Sequence, residues 1–265
     1  MNYLPEKIED FKKTVWEFYN QNKREFAWRQ SPTPYAVVVS EIMLQQTQTA
    51  RVKDKFAAFT AMFGSFDELA AAPVQAVLKE WVGLGYNRRA LALHGIAQKI
   101  VHEYGGILPN DVEVLRTFKG LGHATASSIV AFAYNKPTVF IETNIRAVFI
   151  HTFYPQLDEV HDKELMPLID LAVDMHNPRE WYYALMDYGV HLKKLHKNPS
   201  RKSRHHTVQS KFEGSDRQIR GAIVRTCTQD TVLSLSQLKL LLPFDVDRIE
   251  QQYNALVKEG FISKL

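Results

Sequence analysis

Residues 115–126 read Leu-Arg-Thr-Phe-Lys-Gly-Leu-Gly-His-Ala-Thr-Ala, and Gly120-Leu121-Gly122 joins two helical patterns. Glycine has no Cβ, so the backbone can turn tightly there, leaving the first amides of the second helix pointing outward as an anion site that a phosphate fits. Alone, the stretch reads as an ordinary αα-hairpin. It is followed within twenty residues by an acid, Glu142, in TVFIETNIRAV at 138–148.

Outward from the hairpin the pattern stays helical, with apolar periods over 5–22, 35–44, 47–63, 66–70, 74–81, 86–104, 111–117, 123–134, 142–152, 162–175 and 178–190. Alternating strands are absent. Turn chemistry marks the breaks: SPTP at 31–34, GS at 64–65, GLG at 83–85, YGG at 104–106 and NKP at 135–137. An all-α body follows.

With 45% hydrophobic and 23% charged residues over 265 positions, the chain is too apolar for disorder. Its longest apolar stretches, AVVVSEIML and TVFI, fall far short of the ~18 residues of a membrane span. The N-terminal stretch lacks a continuous apolar run, so no secretory signal and a cytoplasmic, nucleoid-associated place are expected. A single cysteine, Cys227, can supply neither an internal disulfide nor the thiolate set of a cluster or structural zinc site, so no metal is expected.

The net charge is +4, yet residues 191–211 hold seven Lys/Arg, four His and no acid, leaving the other 244 residues at −3. Such a run is either a solvated basic linker or a surface for a polyanion. Beyond it, SDRQIRGAIVRTCTQ, LSQLKLLL and DVDRIEQQYNALVKEG read as helices and FISKL as a terminal strand, which suggests a winged helix.

The hairpin and the acid after it resemble the helix-hairpin-helix DNA glycosylases. Within them, FAWRQSPTPYAVVVSEIMLQQTQTARV (26–52), WVGLGYNRRALALH (81–94) and LRTFKGLGHATASSIVAFA (115–133) are most similar to MutY-type adenine glycosylases, over about residues 5–190. The resemblance implies a two-lobed fold: 1–30 with 137–190 as one helical lobe, 31–136 as a six-helix lobe, 191–215 as basic linker and 216–265 as the winged-helix-like domain. It also implies a monomer acting on double-stranded DNA with a mispaired or damaged base.

Residue roles carry over on the same terms. Breaking an N-glycosidic bond calls for an acid at the base and an anion by the sugar. Glu41 matches the family's general acid, and its flanks Val39, Ile42 and Leu44 favour the protonated carboxyl. Glu142 stands where the family has aspartate in D-G-N-V, one methylene longer, and Asn144 is either its partner or a helix N-cap. Gln45, Gln46 and Thr47 resemble the wedge that enters the duplex, with Thr47 also suited to cap the next helix. Tyr86 matches the intercalating tyrosine.

Trp28 and Arg29 match the wall of the base pocket, although Trp28 alone reads as core. Gly120, Gly122 and His123 would meet phosphate at the hairpin, and Lys193, Lys194, Arg201, Lys202 and Arg204 in the basic run.

Three further departures qualify the likeness. Ala124 occupies the position where strand-cutting relatives carry a nucleophilic lysine, so base removal without efficient β-elimination is expected. The cluster cysteines are missing after MDYGVHLKK, so no iron-sulfur cofactor is expected. The tail does not resemble the family's 8-oxoguanine-reading domain. Adenine in a mismatch is the first substrate; uracil, thymine or a modified pyrimidine opposite guanine is the second; a non-catalytic lesion binder is the third.

Overall fold

The computed structural model describes residues 3–205, 210–228 and 233–262, with side chains from residue 5 onward. It is all-α. The helices are α1 (Tyr3–Asn22), α2 (Ala27–Gln30), α3 (Pro34–Leu44), α4 (Thr49–Met62), α5 (Phe66–Ala71), α6 (Val74–Trp81), α7 (Arg88–Tyr104), α8 (Val112–Arg116), α9 (His123–Tyr134), α10 (Thr143–Phe153), α11 (Asp162–Ala172), α12 (Pro178–Leu195), α13 (Asp216–Thr228), α14 (Leu235–Leu241) and α15 (Val246–Lys258). A 3₁₀ turn covers Pro199–Lys202. Among the described residues no strand forms, and the β-pairing is a single parallel bridge, Val160 to Ser203.

Capping chemistry explains many of the boundaries. Asp111, Ser65, Ser234 and Asp245 each accept a backbone N–H at a helix start. Pro34 and Pro178 open α3 and α12 at the position where a missing N–H costs nothing. Helix α3 is apolar nearly all round, and Val37, Val38, Val39, Ser40, Ile42 and Met43 are buried, as a helix without a polar face requires.

Two compact units divide the chain. The first gathers Met1–Val37, Asn110–Thr117 and Leu121–Val208. Its core is aromatic: Phe11 meets Phe149 and Trp181 edge-on, and Phe132 stacks on Tyr183. Helices α10 and α12 pack so closely that a Cβ on Gly189 would lie 2.5 Å from the carbonyl oxygen of Asn144.

The second unit gathers Val38–Pro109, Phe118–Gly120 and Gln209–Leu265. Phe59 packs between Phe63 and Trp81. Gly120 is required twice over, by a φ of +96° and by Ala92, whose Cβ would be 2.8 Å from a Cβ placed on it.

Two segments differ from the sequence reading. The basic run expected as a linker from 191 is folded through 203: α12 continues to Leu195 because Leu192 keeps the buried stripe, and its last turn takes Lys193 and Lys194 favourably at the negative helix end. Asn198 then caps the 3₁₀ turn, with Pro199 and Ser200 buried. The tail forms the three expected helices, but Phe261 and Ile262 lie in no strand and 263–265 fall outside the described residues. A wing is not part of the described fold.

Candidate functional site

In the second unit the site is assembled around one arginine. Helix α3 ends at Leu44, and the turn Gln45–Thr47 leads into α4. Helix α6 ends at Trp81, and the turn Val82–Asn87 leads into α7. Arg89, on the first turn of α7, joins them. Its Nη1 donates to the carbonyls of Ile42 and Met43, both at 2.8 Å. Its Nη2 donates to Thr47 Oγ1 at 2.8 Å, Gly85 O at 3.0 Å and Leu84 O at 3.2 Å. The orphan carbonyls at the end of α3 are thereby satisfied by a cation, which the helix dipole favours. Burial lowers the Arg89 pKa to about 10, so it stays charged at neutral pH.

That clamp holds two strained residues. Gln46 and Tyr86 have φ of 54° and 48°, in the left-handed region that non-glycine side chains avoid. Strain of ~1 kcal/mol or more at each position persists only where the surroundings enforce it. Gln46 is exposed, Tyr86 is 36% exposed, and Gln45 Nε2 lies a long 3.5 Å from the Gly120 carbonyl. The two turns read as wedge and intercalator thus stand together, with their polar and aromatic tips outward. Thr47 does not cap α4, whose N-cap is Gln48 with no side-chain bond; its hydroxyl is taken by Arg89. Glu41 lies on α3, half-buried, between buried Ser40 and Ile42.

In the first unit the centre is Glu142. It is the N-cap of α10: Oε1 accepts from the amides of Asn144 at 2.8 Å and Ile145 at 2.9 Å, and Oε2 accepts from Asn144 Nδ2 at 3.1 Å. Asn144 is therefore the carboxylate's partner and not the cap. Its Oδ1 accepts from Lys193 Nζ at 2.8 Å. Burial lowers the Lys193 pKa, with the Glu142 charge opposing the shift. Sequence reading assigned Lys193 to phosphate; the structure turns it inward to the asparagine.

Trp28 and Arg29 face inward as well. Trp28 is buried and stacked parallel on Phe26 at 4.8 Å. Arg29 directs Nη1 and Nη2 at the buried carboxylate of Asp187 at 3.0 Å and lies 4.3 Å over the Tyr183 ring. Arg24 shares the same carboxylate. The pocket-wall expectation for Arg29 meets a guanidinium already spent on a buried acid.

At the hairpin, Gly122 is the N-cap of α9 and brings no side chain to its first turn, and His123 is exposed. Of the five basic residues expected on phosphate, Lys194, Arg201 and Arg204 are exposed, while Lys202 Nζ donates to the Pro155 carbonyl at 2.8 Å. His94 is buried against the Ala72 carbonyl, a structural role.

Arg89, Asp187 and the inward Lys193 were missed by sequence reading. A signal for Arg89 existed: it shares the α7 face of Leu93, Ile96, Ala97 and Ile100, all buried, and an arginine within an apolar stripe must find acceptors.

The profile of the HhH-GPD superfamily base excision DNA repair proteins matches residues 39–167. Both turns clamped by Arg89, the hairpin and Glu142 lie in that span. Over those residues the chain is similar to the HhH-GPD superfamily. The adenine DNA glycosylase of Mycobacterium tuberculosis (strain ATCC 25618 / H37Rv) is 34% identical over 190 residues, covering 70% of this chain and 62% of that protein. The chain thus spans under two thirds of that relative. The adenine DNA glycosylase of Mycolicibacterium smegmatis is 27% identical over 268 residues, covering 93% of this chain and 90% of that protein. The solved structure of a thermostable thymine-DNA glycosylase superposes with a TM-score of 0.62 at 25% identity, covering 69% of this chain and 86% of that one.

Residues 191–205 carry lysine, arginine and histidine and no cysteine, and the single thiol of the sequence, Cys227, lies on α13. No helix among the described residues is long and apolar enough to cross a membrane.

Proposed function

We propose that the protein is a monofunctional DNA glycosylase of base excision repair that flips and hydrolyses adenine from a mismatch in double-stranded DNA. The observation that carries the reading is the pair Gln46 and Tyr86, both left-handed and held by Arg89 at the tips of two adjacent turns. Unstacking a base costs a few kcal/mol, and inserted side chains offset part of it. A rigid double tip is suited to that work. The adenine glycosylase relatives support adenine as the base.

In this reading Glu41 delivers a proton to the adenine ring as the C1′–N9 bond breaks, so the bond's electron pair leaves on a neutral base. Glu142 faces the positive charge that develops on the sugar. Water then adds to C1′ and gives up a proton, leaving an abasic sugar. Phosphates rest on the amides of α9 and on Lys194, Arg201 and Arg204. Ala124 offers no amine, so the abasic strand stays intact. The protein acts as a cytoplasmic monomer on the nucleoid, and its tail is a three-helix module.

The test is a panel of duplexes with single mismatches, heated in alkali after incubation. Adenine release, an uncut strand before alkali and no borohydride-trapped complex support the reading. A ~10²-fold slower single turnover in Glu41→Gln assigns the acid. The thymine-DNA glycosylase likeness favours a second substrate class, and preferential release of thymine or uracil opposite guanine would replace adenine with it.

A further inference from the structure

Within the second unit the tail is tied to the helices on both sides of Tyr86. Gln75 Nε2, on α6, donates to the Phe261 carbonyl at 2.9 Å. Arg88, two residues after Tyr86, forms a two-pronged pair with Glu259, which also accepts from Arg220 at 2.8 Å. Buried Ile219, Ile223 and Val224 line one face of α13, and α13 packs on α6. Arg217 precedes that face, and its Nη1 donates to Tyr86 Oη at 2.9 Å with the guanidinium 5.8 Å from the ring centre.

The charge balance singles Arg217 out. Arg88 and Arg220 face Glu259, and Arg248 faces Asp216. Arg217 meets neutral acceptors: Tyr86 Oη and, through Nη2, the carbonyl and hydroxyl of Ser210. Among the described residues no carboxylate pairs with it. A half-buried guanidinium held in place with its charge uncancelled, beside an aromatic tip, is arranged for an anion that arrives with the tip's own target. A planar fork with free N–H groups suits a phosphodiester.

We infer that the tail is part of the DNA-reading surface and that Arg217 binds a backbone phosphate beside the nucleotide at which Tyr86 inserts. The inference rests on the glycosylase reading for the role of Tyr86 and extends it to the tail. Arg217 leaves the tyrosine hydroxyl for the phosphate as DNA arrives, so the same bond that orders Tyr86 in the free protein is exchanged on the duplex.

Binding of the full chain to an adenine-mismatch duplex, titrated across a range of salt, tests this, with Arg217→Ala, Arg217→Lys and Tyr86→Phe. Arg217→Ala is expected to bind about tenfold more weakly at low salt and to flatten the slope of log K against log salt by about 0.9, the release of one phosphate's counterion. Arg217→Lys keeps the charge and the slope. Tyr86→Phe, lacking only the hydroxyl, keeps the slope too. An Arg217→Ala slope equal to wild type overturns the inference, whether or not affinity falls, because the guanidinium would then only brace the tail. Excision by the wild type is scored on the same duplexes: its absence removes the glycosylase reading, while the salt slope still decides whether Arg217 meets phosphate.

Discussion

Lys193 donates to Asn144 at 2.8 Å from one helix end to another, and Asn144 passes the contact on to Glu142 at 3.1 Å. A half-buried cation that would otherwise have gone to phosphate fixes the rotamer of the asparagine, and the asparagine fixes one oxygen of the carboxylate. Lys193→Met keeps the packed stem and removes the donor. Excision is expected to slow about tenfold, from lost positioning worth ~1.4 kcal/mol, with the salt slope of DNA binding unchanged. Neutralising exposed Lys194, Arg201 and Arg204 together gives the opposite pattern, flattening that slope by about three with the chemical step intact. Single-turnover rates and salt titrations on wild type and the two variants separate the two effects.

Arg89 makes five hydrogen bonds to the end of α3 and to two turns, and its loss would leave the Ile42 and Met43 carbonyls buried without a donor. Arg89→Met is expected to lower stability by about 3 kcal/mol, read as a shifted urea midpoint. Because Gln46 and Tyr86 relax once unclamped, binding to mismatch DNA falls further than binding to single strands. Equal losses on both would mean that Arg89 supports the fold and not the tips.

What could be read from sequence follows from range. Helix positions depend on residues three and four apart, so the boundaries of the helices other than the four-residue α2 largely agree with the apolar period. Glu142 and Asn144 are two residues apart, and their bond was foreseeable. Arg29 and Asp187 are 158 residues apart, and nothing local marks them as partners. Lys193 sits among seven cations, where the default is solvent; only the close approach permitted by Gly189 turns it inward. The segment from 196 reads as linker because its order comes from Val160 and the 3₁₀ turn, both supplied by the fold.

Asp162 starts α11 and pairs with Arg146 through two bonds of 2.8 Å. The Arg146 hydrogen bonds hold its carboxyl below the usual 3.8, against a smaller opposing effect of burial. A depressed folded-state value contributes stability that is complete above the unfolded value and lost as pH falls through the folded one. Asp162→Asn should therefore melt lower than wild type above about pH 4 and converge with it under stronger acid. A constant difference across that window would place the stabilising effect in hydrogen bonding alone.

Glu142 decides between an enzyme and a binder. As N-cap it satisfies two amides of α10, so removing its charge touches stability and chemistry together, and the variants have to separate them. Glu142→Gln keeps an acceptor oxygen for the cap and loses the charge. A preorganised anion beside a developing sugar cation is worth several kcal/mol, so base release should fall at least 10³-fold while duplex binding stays within a few fold and the melting temperature shifts only modestly. Glu142→Asp restores the family's side chain; aspartate is a strong N-cap, so the fold should hold, but the shorter reach gives up the 3.1 Å bond to Asn144 Nδ2. Partial activity is expected. Should wild type be inert on every duplex and Glu142→Asp turn excision on, the longer side chain would mark a lesion binder. If Glu142→Gln excises at the wild-type rate, the carboxylate serves α10 alone and the charge by the sugar comes from another acid.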